Sequence, residues 1–229
     1  MIPKIIHQTA RNWDSIPWEE KKLISHLRKV LGDWEYSFHD DDSNLNIVKK
    51  YFPQYLDKYQ SIPKGVAKAD IARVMYMFVY GGWYFDTDYK ILQPIEDPYM
   101  KGIVLPKSRE LETVRLGNAI WGSEAGQQFW LDFLEYIFSS SELNNLQENR
   151  IEKVTGPEGF SNFFEKNKGR YSNVKLVGKR IFHPDIRCGG IFPSKGSIGM
   201  HLCLGSWRTK SLRLKIKNYL YRKLCCWWF

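Results

Sequence analysis

A short aromatic strand that ends in two aspartates is the feature that most constrains this fold. Trp83–Phe85 follows a Gly-Gly turn and leads directly into Asp86 and Asp88. A run of large aromatic residues indicates a buried strand, and a carboxylate at the edge of a core is costly without a cation or a strong donor beside it. In an extended segment both carboxylates would point to the same side. Paired oxygen ligands of this kind suit Mg²⁺ or Mn²⁺.

The helix before this strand decides between a metal site and an ordinary turn. A bare Asp-x-Asp also fits a turn in which one aspartate caps the backbone and the other is solvated. The preceding helix, however, carries Asp70 and Arg73 on one face. On their own these residues would form a surface ion pair worth about 0.3–0.5 kcal/mol. Beside a metal, Asp70 would accept the hydroxyl groups of a sugar, and Arg73 would donate to hydroxyls or phosphate.

Strands alternate with helices along the chain, which predicts an α/β sheet. The predicted strands are 4–7, 34–38, 83–85, 89–92, 103–105, 118–121 and 173–177. The predicted helices are 17–30, 44–51, 63–80, 126–139, 157–166 and a last one from 211. We expect one domain, residues 1–210, and a C-terminal tail, residues 211–229. Ligands of such sheets bind at the carboxyl ends of strands, which is where the two aspartates fall.

Composition narrows the class of protein. Of the 229 residues 43% are hydrophobic and 15% aromatic, which is enough for a sizeable core. No apolar run approaches the roughly 18–20 residues of a membrane span, and the first residues resemble a strand rather than a signal peptide. No two of the four cysteines have the C-x-x-C spacing, so a reducing cytoplasm is the expected compartment.

Much of the net charge of +9 lies in the tail. Between Arg208 and Lys223 there are many basic residues and no acid, and the last three residues, Trp227, Trp228 and Phe229, are aromatic. Apolar residues recur there at helical spacing: Leu212, Ile216, Tyr219, Leu220 and Leu224. A basic amphipathic helix with terminal tryptophans suits an anionic membrane surface, although a helix packed on the domain with a solvated basic face is the alternative. We therefore expect a cytoplasmic protein, peripheral on the inner face of the cell membrane.

Several segments in this order resemble glycosyltransferase family 32. Ala69–Arg73 followed by Tyr80–Asp88 resembles the sugar-binding region with the DXD motif of that family. Further resemblances are found in Ile2–Gln8, in Thr155-Gly156-Pro157, and in His201 with Gly205-Ser206-Trp207. The family includes the fungal initiating α-1,6-mannosyltransferase and many bacterial capsule and lipopolysaccharide transferases. The Asp…Arg…Asp-x-Asp spacing is also similar to that of the glucosylating bacterial toxins.

The resemblance implies a single-domain GT-A fold, a Rossmann-like fold that binds nucleotide sugars. It implies a hexosyltransferase that uses a UDP- or GDP-sugar and Mn²⁺ (or Mg²⁺) and that retains the anomeric configuration. The implied acceptor is a glycan or a lipid-linked oligosaccharide, as in the biosynthesis of surface polysaccharide such as capsule or lipopolysaccharide.

Residue roles follow from the same resemblance, by position. Asp86 would contact the ribose, the sugar or the water shell of the metal, and Asp88 would bind the metal directly. His201 would be a further metal ligand or a diphosphate contact, or else a structural histidine in a loop. Ser206 and Trp207 would contact the diphosphate. His7, Gln8 and Thr9 would line the nucleotide site, and Asn118, at the end of another predicted strand, would reach the sugar or the acceptor.

Three other functions compete with this one. A nucleic-acid-binding protein is suggested by the positive charge, but the charge is concentrated in the tail and no recognition motif is present, so we expect no nucleic-acid partner. A metal-dependent phosphodiesterase would need more histidine and aspartate ligands at strand ends, and the chain has five histidines. A catalytically silent family member would serve as a nucleotide-sugar- or glycan-binding subunit, against which the intact Asp70, Arg73, Asp86 and Asp88 argue.

Overall fold

The computed structural model describes residues 1–109, 113–183, 193–204 and Ile216. Within these ranges the strands are β1 Ile5–Thr9, β2 Glu35–His39, β3 Gly82–Phe85, β4 Tyr89–Ile91, β5 Ile103–Arg109, β6 Arg115–Leu116, β7 Ile120–Ser123, β8 Val174–Val177 and β9 Gly199–His201. The α-helices are α1 Trp18–Leu31, α2 Asp41–Tyr51, α3 Leu56–Ser61, α4 Gly65–Val79, α5 Gln128–Phe138, α6 Ile151–Val154, α7 Pro157–Asn167 and α8 Lys179–Phe182.

The larger sheet is mixed and has the strand order β2-β1-β3-β7-β5-β6, with β8 paired to β5. Strands β2, β1 and β3 are parallel to one another, whereas β7 is antiparallel to β3 and sets Ile120 opposite Phe85. The amino end of β7 therefore lies beside the carboxyl end of β3. Strands β4 and β9 form a separate antiparallel pair. This arrangement confirms the predicted α/β class.

Two glycines turn the chain sharply from α4 into β3. Gly81 has φ 64° and Gly82 has φ 89°, values that glycine adopts without steric cost. A Cβ atom on Gly82 would lie 2.7 Å from the carbonyl oxygen of Ile5. Glycine at this position thus allows β3 to pair closely with β1.

Alternation along β3 assigns its side chains to two different cores. Trp83 and Phe85 pack in the core that includes Leu27 of α1 and Phe182 of α8. Tyr84 packs in the other, larger core, which is built from α4, α5 and α7. Because side chains alternate along a strand, Tyr84 lies on the side of the sheet that α4 covers.

Most boundaries agree with the pattern of the sequence, and the differences are local. The strand predicted at 118–121 begins at Ile120, so Asn118 precedes a strand instead of ending one, and the strand predicted at 103–105 continues to Arg109. Short elements such as β6, β9, α6 and α8 lack a periodicity that a sequence pattern could reveal. No helix in the described part of the chain combines the length and apolarity needed to cross a membrane. The predicted helix from residue 211 lies outside the described residues, Ile216 excepted.

Candidate active site

A cavity of about 1110 Å³ opens at the carboxyl ends of β1 and β3. Predicted site residues that line it are Thr9, Asp70, Arg73, Asp86, Asp88, Asn118 and His201. The N-terminal ends of five helices also reach it, through Pro17, Asp41, Gly65, Ile151 and Pro157. A volume of this size is sufficient for a ligand larger than a simple sugar.

Asp86, Asp88 and His201 converge on one point of this cavity. Each offers one ligand atom, and the three atoms lie within 4.8 Å of one another. His201 Nε2 is 3.0 Å from Asp88 Oδ1 and 3.7 Å from Asp86 Oδ2. Two carboxylate oxygens and one imidazole nitrogen are suitable ligands for Mn²⁺ or a similar divalent cation. The residues therefore fit the metal that the DXD resemblance implies.

A turn brings the two aspartates together. The extended segment that was expected from the sequence is wrong here. The N–H of Tyr89 donates to the carbonyl of Asp86 over 3.0 Å, which closes a turn around Thr87. Strand β4 then starts at Tyr89 and pairs with β9, where His201 lies opposite Tyr89. The pairing of β4 with β9 thus brings His201 to the aspartates from more than a hundred residues away. Local sequence patterns cannot predict a contact between segments so far apart.

Neighbouring groups fix the position of each carboxylate. Asp86 Oδ1 accepts hydrogen bonds from Arg73 Nη1 at 3.1 Å and from the hydroxyl of Tyr84 at 2.7 Å. Asp88 Oδ2 accepts one from the backbone N–H of Leu204 at 2.7 Å. Both aspartates are consequently held by donors at the oxygen that does not approach His201 most closely.

Opposite charge in a buried setting governs the protonation of Asp88 and His201. Burial alone would raise the pKa of Asp88, but the charge and hydrogen bond of His201, aided by the N–H of Leu204, lower it below its usual value. Burial alone would lower the pKa of His201, but the carboxylate of Asp88 raises it well above its usual value. Without a metal the two side chains therefore form an ion pair.

Asp70 and Arg73 form a buried ion pair, so the surface pair considered from the sequence is wrong. They are 4% and 6% exposed, and Arg73 Nη2 lies 2.9 Å from Asp70 Oδ1. Thr155 donates to Asp70 Oδ2 over 2.9 Å, and Arg73 Nη1 donates to the carbonyl of Asn118 over 2.7 Å. Burial raises the pKa of Asp70 to about 6 against the opposing effects of Arg73 and Thr155.

The four predicted contact residues that remain, three in β1 and Asn118 just before β7, divide into two groups. Thr9 and Asn118 line the cavity. His7 instead contacts the carbonyl of Gly81 at 2.9 Å and His39 at 3.0 Å, and Gln8 donates to the carbonyl of Asp86 over 3.2 Å. Their predicted contacts with the nucleotide stay predictions, and the observed bonds of His7 and Gln8 are internal.

Three residues of the site were not predicted as such: Tyr84, Thr155 and Leu204. Tyr84 precedes Asp86 by two positions, so strand alternation could have placed its hydroxyl beside that carboxylate. Thr155 belongs to a motif that had been noted, although its partner Asp70 is distant in sequence. The predicted diphosphate contacts Ser206 and Trp207 lie outside the described residues.

Residues 17–105 match the family model described as the glycosyltransferase sugar-binding region containing DXD motif. The chain is a relative of the DXD glycosyltransferases. An uncharacterised glycosyltransferase of Acanthamoeba polyphaga mimivirus is 28% identical over 190 residues, which cover 80% of this chain and 74% of the relative. Inositol phosphoceramide mannosyltransferase 2 of Schizosaccharomyces pombe is 25% identical over 173 residues, which cover 76% of this chain and 49% of the relative. This chain therefore spans about half the length of that yeast protein.

A solved structure shares the fold of this chain. PaToxG glycosyltransferase gives a TM-score of 0.57 at 18% sequence identity and covers 72% of this chain and 70% of its own. The predicted GT-A fold is confirmed by this likeness. The family model and the relatives also confirm the predicted enzyme class, a glycosyltransferase.

Proposed function

We propose that this chain is a metal-dependent, retaining glycosyltransferase that moves a hexosyl group from a nucleotide sugar to a hydroxyl of a glycan or lipid acceptor. The observation that carries the proposal is the convergence of Asp86, Asp88 and His201 in the same cavity as the Asp70–Arg73 pair. One cluster suits a divalent cation with a diphosphate, and the other suits the hydroxyl groups of a sugar.

The metal would be held by Asp86, Asp88 and His201. When bound, it would neutralise the negative charge that grows on the diphosphate leaving group. Asp70 would accept hydrogen bonds from sugar hydroxyls above about pH 6, where its carboxylate is ionised. Arg73 would keep Asp70 and Asp86 in place, since its two terminal nitrogens already contact both carboxylates. Preorganised groups of this kind stabilise a transition state without moving during the reaction.

Retention is proposed from the family resemblance, and the roles of the carboxylates indicate by which route it would occur. A hydrolase needs two carboxyl groups that flank the bond to be broken, whereas Asp86 and Asp88 both approach His201. Neither is placed as a nucleophile, so we expect transfer on one face of the sugar. The departing phosphate would then take the proton of the acceptor hydroxyl.

The proposal covers two kinds of acceptor, each with its own cellular role. Surface polysaccharide such as capsule or lipopolysaccharide is one setting, in accordance with the family resemblance. The name of the yeast relative, an inositol phosphoceramide mannosyltransferase, supports a lipid acceptor and GDP-mannose as a donor to test first. A cytoplasmic location on the inner face of the membrane fits either acceptor.

The basic tail provides the test of membrane association. If residues 211–229 bind an anionic surface, their deletion should sharply reduce sedimentation of the protein with liposomes that contain anionic lipid. Neutral liposomes serve as the control because they lack the attraction for basic residues. Equal binding by the full-length and truncated chains would show that the tail has a structural role.

A donor screen tests the proposed reaction. Purified protein is incubated with Mn²⁺ and a panel of UDP- and GDP-sugars, and the released nucleotide is measured with and without EDTA. The proposal predicts release from one donor that EDTA suppresses and that added Mn²⁺ restores. Release that is indifferent to EDTA would contradict the metal dependence. Absence of both release and nucleotide binding by calorimetry would favour a catalytically silent protein.

A further inference from the structure

A buried glutamate of α1 touches the turn that carries the two aspartates. Glu20 is 2% exposed, and its Oε2 accepts a hydrogen bond from the hydroxyl of Thr87 over 2.7 Å. Thr87 lies between Asp86 and Asp88, at the tip of the turn. Glu20 and Thr87 both line the large cavity, so their contact is part of the wall next to the metal-ligand cluster.

The position of Glu20 on its helix is unusual for a carboxylate. The buried stripe of α1 includes Leu23, Ile24, Leu27 and Leu31, and Glu20 occupies the same stripe one turn before them. An apolar residue is the usual choice on such a face, because a buried carboxylate is costly unless it has partners. The hydroxyl of Thr87 is one such partner, and the first turn of the helix favours negative charge.

The same helix also supports the other half of the cluster. Leu23 packs with Met200, Leu202 and Leu204, which flank His201 on both sides. His26 Nε2 lies 3.1 Å from the carbonyl of Ile91 at the end of β4. Helix α1 therefore contacts the aspartate turn, the strand after it and the segment that supplies His201.

Each residue of the Asp86–Asp88 turn is thus held by a different element. Asp86 is held by Arg73 of α4, Asp88 by the backbone after β9, and Thr87 by Glu20 of α1. We propose that Glu20 is a positioning residue for the metal site: through Thr87 it holds the turn between the two aspartates that the other contacts hold. This inference rests on the proposed function, because it concerns the cation that Asp86, Asp88 and His201 would hold.

The proposal is tested by measuring the affinity of the metal-free protein for Mn²⁺, which requires no turnover. Calorimetry gives the affinity, and the electron paramagnetic resonance signal of free Mn²⁺ gives an independent value. Thr87→Val removes the hydroxyl at nearly constant volume, and Glu20→Leu removes the acceptor. Each is expected to weaken Mn²⁺ binding about tenfold or more, the size of effect seen when groups that orient metal ligands are lost. Thr87→Ser and Glu20→Gln keep a donor and an acceptor, so they should restore most of the affinity.

Two further comparisons separate positioning from a general loss of structure. The double variant Thr87→Val with Glu20→Leu should bind Mn²⁺ no more weakly than the worse single variant, because both changes remove one contact. Glu19→Gln, next to Glu20 on the same helix, should leave Mn²⁺ affinity unchanged. If circular dichroism shows that Glu20→Leu does not fold, the Mn²⁺ affinities of Thr87→Val and Thr87→Ser still test the contact between Glu20 and Thr87.

The outcomes also distinguish this inference from the function on which it rests. Wild-type affinity for Mn²⁺ in both Thr87→Val and Glu20→Leu would overturn the role of Glu20 and leave the proposed function standing. A wild-type protein that binds no Mn²⁺ would overturn both.

Discussion

At the scale of single residues, the buried charged side chains of the site are held by hydrogen bonds and ion pairs. Asp70, Arg73 and Asp88 are each less than a tenth exposed, and each has at least two polar partners. Buried charges persist only with such partners. The consequence is that removing one partner should have a larger effect than the removal of an exposed charge.

Asp88→Asn tests the metal ligand directly. The change keeps the shape of the side chain but removes its charge, so we expect turnover of the donor to fall at least about a hundredfold, as for other preorganised electrostatic contacts. Nucleotide release is measured with Mn²⁺, and circular dichroism checks the fold. Asp33→Asn is the matched control, since Asp33 is exposed and pairs with Lys4. Unchanged turnover in Asp88→Asn would contradict the role of Asp88.

Thr155→Val tests the support of Asp70. The variant leaves one oxygen of a buried carboxylate without its hydroxyl donor, which we expect to lower the free energy of unfolding by about 1–3 kcal/mol. Urea denaturation measures the change. Thr155→Ser retains a hydroxyl and should recover most of the loss. Equal stability of the Val and wild-type proteins would mean that this hydrogen bond contributes nothing.

At the scale of elements, the site depends on contacts that bring strand ends and helices together. The sequence pattern predicts most of the helices and strands because their periodicity is local. It does not predict that β9 pairs with β4 and so brings His201 to Asp88. Nor does it predict that β7 runs antiparallel to β3 and so places Asn118 beside Arg73. Both results arise from strand pairing between distant segments.

Gly82→Ala tests the close approach of β3 to β1. Alanine would be strained at φ 89° and its Cβ would lie 2.7 Å from the carbonyl oxygen of Ile5. We expect the free energy of unfolding to fall by about 2 kcal/mol or more, the sum of backbone strain and of the displaced strand. Gly169→Ala is the control, because its Cβ would meet no atom within 4 Å. Thermal or urea denaturation of both variants provides the comparison.

The histidine pair that joins β1 to β2 gives a pH prediction. Burial, reinforced by His39, lowers the pKa of His7 to about 3, and burial lowers the pKa of His39 to about 4. Both are therefore neutral when folded but take up a proton below about pH 6.5 when unfolded. Their contribution to stability is complete above that pH and decreases as the pH falls towards 4 and 3, by about 2 kcal/mol for each histidine between pH 7 and pH 5.

Nuclear magnetic resonance can follow these two imidazoles directly. The ring-proton shifts of His7 and His39 should remain those of neutral histidine from pH 7 down to pH 5. The hydrogen bond to the carbonyl of Gly81 places the proton of His7 on Nε2, so the ¹⁵N shifts should also report that tautomer. A titration midpoint near pH 6.5 for either ring would contradict the predicted shift.

At the scale of the whole molecule, the sequence predicts the class of fold and the class of enzyme better than the details of the site. The alternation of strands and helices indicates the α/β fold, and the acidic strand end indicates where a ligand would bind. The contacts of Thr155 with Asp70 and of Glu20 with Thr87 escape prediction because they join groups that are far apart in sequence and meet only in three dimensions. Glu20 in particular resembles an ordinary residue of the first helical turn until its burial is known.

The central claim is that Asp86, Asp88 and His201 together bind a divalent cation. Anomalous diffraction from crystals soaked with Mn²⁺ tests it most directly, because the signal locates the ion without reference to activity. The account predicts a peak in contact with Asp86, Asp88 and His201 that is lost in the Asp88→Asn variant. A protein that orders Mn²⁺ elsewhere, or one that leaves these three side chains in their metal-free contacts at saturating Mn²⁺, would contradict it.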